Sequence, residues 1–278
     1  MRTVPPSAEP LGGRFRLGRL IARSSTSRLH AATDLRTQQA VVVKQLIVPT
    51  DLAPQFAAQW LAHTRREADA AQRLRHPDIV ALVAADIDAR PPWLAMERVQ
   101  APDLSVHLRV DNRLSAVQVL RIGRRLAGAL AHAHGQGVVH RDLKPSNVLV
   151  DLATDTVKLA DFGVARIDDG TPSGTGMTLG TPAYMAPELL RGHDATPASD
   201  SYALGVMLYE LLTLRRPHEA ATLGALLRAV SSQTPIALAL LRPDLPAAGA
   251  AAIDQLLSSA AGQRPADLLA WADRLTRP

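Results

Sequence analysis

The sequence predicts an α+β fold, with strands gathered before about residue 100 and helices after it. Three observations carry that prediction. Short β-branched and apolar runs punctuated by turn residues fill the first hundred positions. After Pro102 the apolar spacing becomes helical, most plainly at Val119, Leu120, Gly123, Leu126, Ala127 and Leu130, with Ser115 as N-cap and Gly135 and Gly137 as the stop. Last, Asp200 to Leu214 is apolar nearly all round, the mark of a helix buried on every side. With 278 residues, 47% of them hydrophobic, the chain suits one large domain or two lobes and can bury a sizeable core.

Composition narrows the chemistry. The chain has no cysteine, which excludes disulfides, thiol catalysis and cysteine-based zinc sites. The opening MRTVPPSAEPLG holds no apolar run long enough for a signal peptide. No later segment has the roughly 18 uncharged apolar residues of a membrane span. A cytoplasmic protein without a membrane span is therefore expected. A net charge of +5 invites a nucleic-acid partner, but the arginines are scattered (Arg14, Arg16, Arg73, Arg124, Arg215, Arg274) and aromatics, at 3%, are too few for base stacking. A solvated arginine-rich surface is expected instead, and no nucleic acid.

In order, residues 1–13 read as a flexible tail broken by Pro5, Pro6, Pro10, Gly12 and Gly13. Phe15 to Leu20 and Ser27 to Ala32 read as two weak strands, and Ala40 to Val48 as a stronger third. Lys44 interrupts the third, either as an edge-strand gatekeeper or as a cation aimed into a site. Helical spacing begins after Asp51, read as N-cap, with Phe56, Trp60, Glu67, Ala71 and Leu74 on one face. Glu67 projects with that apolar stripe, and a carboxylate directed at a core needs a partner, for which Lys44 is the natural choice. Ile79 to Ala84 and Trp93 to Val99 continue as strands around Arg90-Pro91-Pro92.

The chemistry concentrates in VVHRDLKPSNVLV, residues 138–150. Val138-Val139 and Val148-Leu149-Val150 read as strands pinning a polar loop. Inside it are an acid (Asp142), a cation (Lys144), a rigid turn residue (Pro145) and an amide (Asn147). Phosphoryl transfer needs a carboxylate to orient a hydroxyl, a cation to offset charge and an oxygen ligand for Mg²⁺. A charged surface turn accounts for any one of these residues but not for the string. VKLADFG follows at 157–163, then a Gly/Ser/Thr-rich stretch to Leu179, GTPAYMAPE at 180–188, and Gln263-Arg264-Pro265 near the end.

In this order and spacing the strings resemble the protein kinases, and the Lys-Pro-x-Asn form of the loop resembles the bacterial-type (Hanks-type) serine/threonine class. The resemblance covers about residues 14–275. It implies a two-lobed protein kinase-like fold: a small, mainly antiparallel β lobe plus helix C over 14–99 and a larger, mainly α-helical lobe over 100–278. It implies transfer of the γ-phosphoryl group of ATP, with Mg²⁺ or Mn²⁺, to Ser/Thr hydroxyls of protein substrates, and self-association for autophosphorylation. Asp142 would orient the acceptor hydroxyl and Lys144 would offset charge. Lys44, held by Glu67, would bind the α- and β-phosphates, while Asn147 and Asp161 would hold the metal. Ile21, Leu29, Val42, Met96, Glu97, Val99 and Leu149 would surround adenine. Asp200 would bond the catalytic-loop backbone, and Arg264 would pair with Glu188. Arg141 would receive a phosphate from Thr175 or Ser173.

The departure from the family is local. Where its phosphate-covering loop reads G-x-G-x-x-G, this chain has Ala22, Ser24 and Ser27. A non-glycine residue forced to positive φ there costs on the order of 1 to 3 kcal/mol, so weakened ATP binding is expected unless the loop has settled into a conformation suited to its serines. Two other readings stand beside the active kinase. One is a pseudokinase-like nucleotide-binding or scaffolding module, against which every residue assigned to chemistry is present. The other is a kinase of small molecules, against which stand GTPAYMAPE and the Glu188 and Arg264 pair.

Overall fold

The computed structural model describes residues 9–48, 53–162 and 182–275. They fall into two compact units. One holds the described residues up to His76 together with Val80–Gln100; the other holds Pro77–Ile79 with 101–162 and 182–275.

The first unit is a five-stranded antiparallel sheet and a helix, in the sequence β1 (Phe15–Arg23), β2 (Ser27–Asp34), β3 (Ala40–Leu46), α1 (Pro54–Ala71), β4 (Leu82–Asp86) and β5 (Trp93–Glu97). The strand order is β1-β2-β3-β5-β4. Alternation along β3 sends Val41 and Val43 into a core with Phe15, Ala32, Trp93 and Ala95. Val42 and Lys44 take the opposite face. A second core joins α1 to the sheet through Trp60, Ala68, Ala71, Leu82, Ile87 and Leu94. The buried stripe of α1 is Trp60, Thr64, Ala68 and Ala71, whereas Phe56, expected on it, is 54% exposed in the first helical turn. The N-cap is Ala53, followed by Pro54 at the position where a missing N–H is harmless. Asp51 lies outside the described residues.

Two corrections concern edges. Residues 10–13 are not a loose tail. Gly13 N bonds Pro10 O at 2.9 Å and Phe15 N bonds Leu11 O at 3.0 Å, and Gly12 (φ +57°) passes so close to Trp93 that a Cβ there would sit 2.8 Å from the indole. Residues 1–8 lie outside the described part. The fourth strand begins at Leu82, not Ile79, because the backbone at 78–79 is spent within the second unit. There Leu159 N donates to Asp78 O at 2.8 Å, Ile79 forms a parallel bridge with Leu159, and Arg125 Nε donates to the Asp78 carboxylate at 3.0 Å.

The second unit continues with α2 (Ala116–Gly135), the hairpin β6 (Val148–Asp151) and β7 (Thr156–Leu159), α3 (Pro187–Leu190), α4 (Pro197–Thr213), α5 (Leu223–Ser232), α6 (Leu238–Leu241), α7 (Ala247–Leu256) and α8 (Leu268–Ala272). Ser115 and Gln118 form a capping box on α2. Helix α4 is buried from Ser199 to Tyr209 and at Leu211 and Leu212, as its composition requires. It starts at Pro197, three residues before the expected Asp200. At Gly205 it approaches α7 so closely that a Cβ would fall 2.6 Å from that of Leu256. Its C-terminal carbonyl at Leu212 accepts from Arg113 at 3.0 Å and Arg242 at 2.5 Å, cations placed where the helix dipole favours them. Val138-Val139 is not a strand: Val138 N bonds Ala133 O at 2.9 Å, and β6 pairs with β7. Among the described residues no helix is long and apolar enough to cross a membrane.

Candidate active site

In the second unit, α2 ends at Gly135, Gly137 turns the chain at φ +73°, and the backbone enters a loop whose shape is fixed by one buried acid. Asp200, 1% exposed in the first turn of α4, accepts from His140 N (2.8 Å) and His134 Nε2 (2.8 Å) on one oxygen and from Arg141 N (2.9 Å) on the other. That grip matters because Arg141 stands at φ +68°, a left-handed conformation costing a side-chain-bearing residue about 1 to 2 kcal/mol. The sequence assigned Asp200 this role. It did not find His134, whose only signal is a histidine six positions before His140.

His140 is fully buried and its two nitrogens have opposite duties. Nδ1 accepts from Asp142 N at 3.2 Å, so the proton sits on Nε2, which donates to Ala160 O at 2.9 Å. Its ring packs on Phe162 with centroids 4.7 Å apart. The imidazole thus ties the residue before another left-handed position, Asp161 at φ +64°, to the loop carrying Asp142.

Asp142 is the centre of the loop's polar contacts. Lys144 Nζ reaches its Oδ2 at 2.7 Å, and Asn147 Nδ2 donates to the same oxygen at 3.1 Å and to the Asp142 carbonyl at 2.8 Å. Because both Asn147 contacts use the amide nitrogen, Oδ1 is the atom that could serve a cation. Ala160 N bonds Asn147 O at 2.8 Å and β6 pairs with β7 at Val148 and Leu159, which sets Asp161 by the same strand pair. One amide oxygen and one carboxylate, both hard donors, fit Mg²⁺, which takes few protein ligands and fills its shell with phosphate and water. Leu149, half-buried on β6, bridges Asp103. A cleft beside Asp142 is lined by Arg141, Leu143, Tyr184, Met185 and Leu189. Tyr184 there donates to Glu210 on α4, a contact the sequence did not announce; burial first, then the Glu210 charge, push the phenol up.

Glu188 and Arg264 pair as the sequence implied, through parallel bonds of 2.7 and 2.9 Å. Arg264 is 4% exposed, also donates to Ser258 O and Ala198 O at 2.9 Å each, and lies 5.0 Å from the centre of the Tyr202 ring. Burial pushes the Glu188 carboxyl up, but bonds from Arg264 and Ser199 outweigh it and hold the group below the ordinary glutamate range.

In the first unit Lys44 stands on β3 opposite Leu29 of β2 and Leu94 of β5, and Val42 stands opposite Ala31 and Met96. Strand alternation therefore gives Leu29, Val42, Lys44 and Met96 one common face. Ile21 is 42% exposed near the end of β1. Glu97 is tied back to the lead of β4, its N donating to Ala81 O and its Oε1 accepting from Ala81 N, both at 2.9 Å, and Val99 follows. On α1, Glu67 Oε1 lies 3.1 Å from His63 Nε2, one turn earlier. The β1–β2 turn corrects the expectation of strain: Ala22, Ser24 and Ser27 all have negative φ. Ser24 N donates to Ser27 O at 2.9 Å, and Ser24 Oγ accepts from Thr26 N at 3.2 Å and Ser27 N at 3.0 Å. The loop has taken a conformation that serine caps and glycine is not needed for. Ser173 and Thr175, and Gly163 after Phe162, lie outside the described residues.

The description "Protein kinase domain" matches residues 15–265. The chain is 37% identical over 190 residues to serine/threonine-protein kinase PknA of Mycobacterium tuberculosis, a match covering 66% of this chain and 43% of that protein. It is 36% identical over 196 residues to serine/threonine-protein kinase PknB of Mycobacterium leprae, covering 68% of this chain and 30% of the other. The chain thus spans less than half the length of these relatives. Among solved structures, the PknI kinase domain of Mycobacterium tuberculosis superposes with a TM-score of 0.73 at 26% identity, covering 94% of both chains.

Proposed function

This chain belongs to the protein kinase family, among the serine/threonine kinases of bacterial type, and from that premise we propose that it transfers the γ-phosphoryl group of Mg-ATP to Ser/Thr hydroxyls of proteins, itself included. The observation that carries the reading is the Asp142 carboxylate, held by Lys144 Nζ at 2.7 Å and Asn147 Nδ2 at 3.1 Å in a loop whose backbone Asp200 grips.

Asp142 would accept the hydrogen bond of the acceptor hydroxyl, orient its lone pair and take its proton as the bond to phosphorus forms. Lys144, already on Asp142, would share its charge with the moving phosphoryl group. Asn147 Oδ1 and the Asp161 carboxylate would hold Mg²⁺, which would supply positive charge to offset that of the phosphates. Lys44, positioned by Glu67, would bind the α- and β-phosphates. Ile21, Leu29, Val42 and Met96 would present apolar surface to adenine, and the backbone of Glu97 and Val99 would meet its polar edge. Catalysis here is positioning and charge stabilisation, so each element must be in place before transfer.

Incubation of the purified protein with labelled ATP and Mg²⁺ beside an Asp142→Asn variant tests the reading. Label on protein in the unmutated sample alone is expected; nucleotide binding without transfer would instead assign a scaffolding role. Arg141 as receiver of a phosphate, Thr175 foremost and Ser173 next, belongs to the same reading. Mass spectrometry of active protein should find Thr175 modified. A bare segment together with a fully active Thr175→Ala variant would remove this part.

A further inference from the structure

We propose that Ser24 sets the affinity of this kinase for nucleotide triphosphate, by occupying with its own hydroxyl the backbone amides that the phosphate-covering turn would otherwise offer. The inference rests on the kinase reading and concerns a residue at which this chain leaves the family pattern.

Backbone amides in a turn bind phosphate because each N–H places a fixed positive end at the ligand. An N–H makes one good bond at a time. In the β1–β2 turn two such groups are engaged by a single side-chain oxygen, with Thr26 N at 3.2 Å and Ser27 N at 3.0 Å from Ser24 Oγ. The same hydroxyl lies 3.1 Å from Ser27 Oγ and 3.3 Å from Thr26 Oγ1, so its own proton also has partners within the turn. The turn is closed by Ser24 N on Ser27 O at 2.9 Å and tied to the end of β3 by Ile47 N on Thr26 O at 2.8 Å. Negative φ at Ser24 and Ser27 means the arrangement stores no left-handed strain that phosphate binding could release.

A triphosphate approaching this turn must therefore displace Ser24 Oγ from the amides before it can accept from them. Removing the hydroxyl while keeping a Cβ frees both N–H groups without loosening the hairpin, since the closing bond and the Arg23 and Arg28 pairing are backbone features. Freeing one to two hydrogen bonds of ordinary net strength should tighten triphosphate binding roughly threefold to tenfold. Adenosine, which has no phosphate, should gain nothing.

Calorimetric titration of the full chain with Mg²⁺ and a non-hydrolysable ATP analogue, and separately with adenosine, decides the matter for the unmutated protein, Ser24→Ala and Ser24→Thr. The expected result is a three- to tenfold tighter analogue in Ser24→Ala, unmutated affinity in Ser24→Thr, which keeps the oxygen, and equal adenosine affinity in all three. Steady-state kinetics should show the Michaelis constant for ATP falling in Ser24→Ala while that for the protein substrate stays fixed. Analogue affinity unchanged in Ser24→Ala overturns the inference and leaves the kinase reading standing. Weaker binding in Ser24→Ala also overturns it, because the hydroxyl would then be a phosphate donor itself. Failure of all three proteins to bind either the analogue or adenosine removes the nucleotide reading and this inference with it.

Discussion

The turn joining β1 to β2 and the loop from His140 to Asn147 are both assigned to phosphate chemistry, yet they are stabilised in opposite ways. The turn is satisfied from within: Ser24 caps its own amides, and Ala22, Ser24 and Ser27 all have negative φ. The loop is clamped from outside, with Asp200 of α4 accepting from the backbone N–H groups of His140 and Arg141, the latter at φ +68°. At Arg141 the left-handed conformation is over-determined by its surroundings. Where this chain has Ala22, Ser24 and Ser27 the backbone is relaxed, and where Asp200 clamps the loop a left-handed residue is held.

The largest expected effect falls on the clamped loop. Asp142→Asn keeps the shape of the side chain and removes its basicity, so transfer should drop by several orders of magnitude while the melting temperature holds; Lys44→Ala and Asp161→Asn should be comparably inactive. An Asp142→Asn enzyme with near-normal turnover would sink the assignment. Next comes the clamp itself. Asp200→Ala leaves His140 N, Arg141 N and His134 Nε2 without their acceptor, which should cost about 3 kcal/mol of stability by urea unfolding and about a hundredfold in kcat as Asp142 shifts. If kcat survives the loss of Asp200, the loop holds its own conformation and the contrast with the turn fails.

A buried pair elsewhere in the second unit gives a pH-dependent measure of outside support. Arg264→Leu strands Glu188 and should cost about 3 kcal/mol, since removing one partner of a buried pair leaves an uncompensated charge. The Glu188 carboxyl is held below its ordinary range, so its contribution is present in full above the unfolded value of about 4.3 and is lost as pH falls through the lower folded value. Unfolding measured from pH 6 to pH 3 should therefore show a shallower acid decline in Glu188→Gln, and an unaltered slope would assign that decline to other carboxylates. Asp34, held below its range first by the bond from Arg14, acts in the same direction within the first unit.

The two regions also differ in how legible they were. The residues of the catalytic loop could be read from sequence because phosphoryl transfer dictates an acid, a cation and an amide at short spacing, and Asp200 and Arg264 followed from the same resemblance. The turn was legible only as a departure. Missing glycines point to strain if the backbone is assumed unchanged, and nothing periodic in SSTS reveals that Ser24 would take up the amides of Thr26 and Ser27. Residues 10–13, read as a tail from their glycines and proline, pack because Gly12 lets the chain approach Trp93, a contact between positions 81 residues apart. Ile79 has strand composition but gives its bridge to Leu159, and Phe56 has helical spacing but finds no cover; both outcomes are set by tertiary neighbours.

The smallest expected effect is the sharpest test of the comparison, because it asks glycine to act with opposite signs in two turns of one sheet. Gln38, in the turn joining β2 to β3, stands at φ +59° and is exposed, so it carries left-handed strain with little packing to lose beyond one bond from Nε2 to Leu35 O at 2.9 Å. Gln38→Gly removes a penalty of about 1 to 2 kcal/mol and adds about 0.5 to 1 kcal/mol of unfolded-state entropy, for a net gain of at most about 1.5 kcal/mol. Ser24→Gly has no such penalty to remove. It loses the two amide bonds of the cap and adds unfolded-state entropy, so it should cost about 1 kcal/mol. Urea titrations of both variants beside the unmutated chain, read as shifts of midpoint at constant slope, should move in opposite directions. If Ser24→Gly stabilises as Gln38→Gly does, the β1–β2 turn is strained after all, and the cap is a consequence of its shape and not the cause.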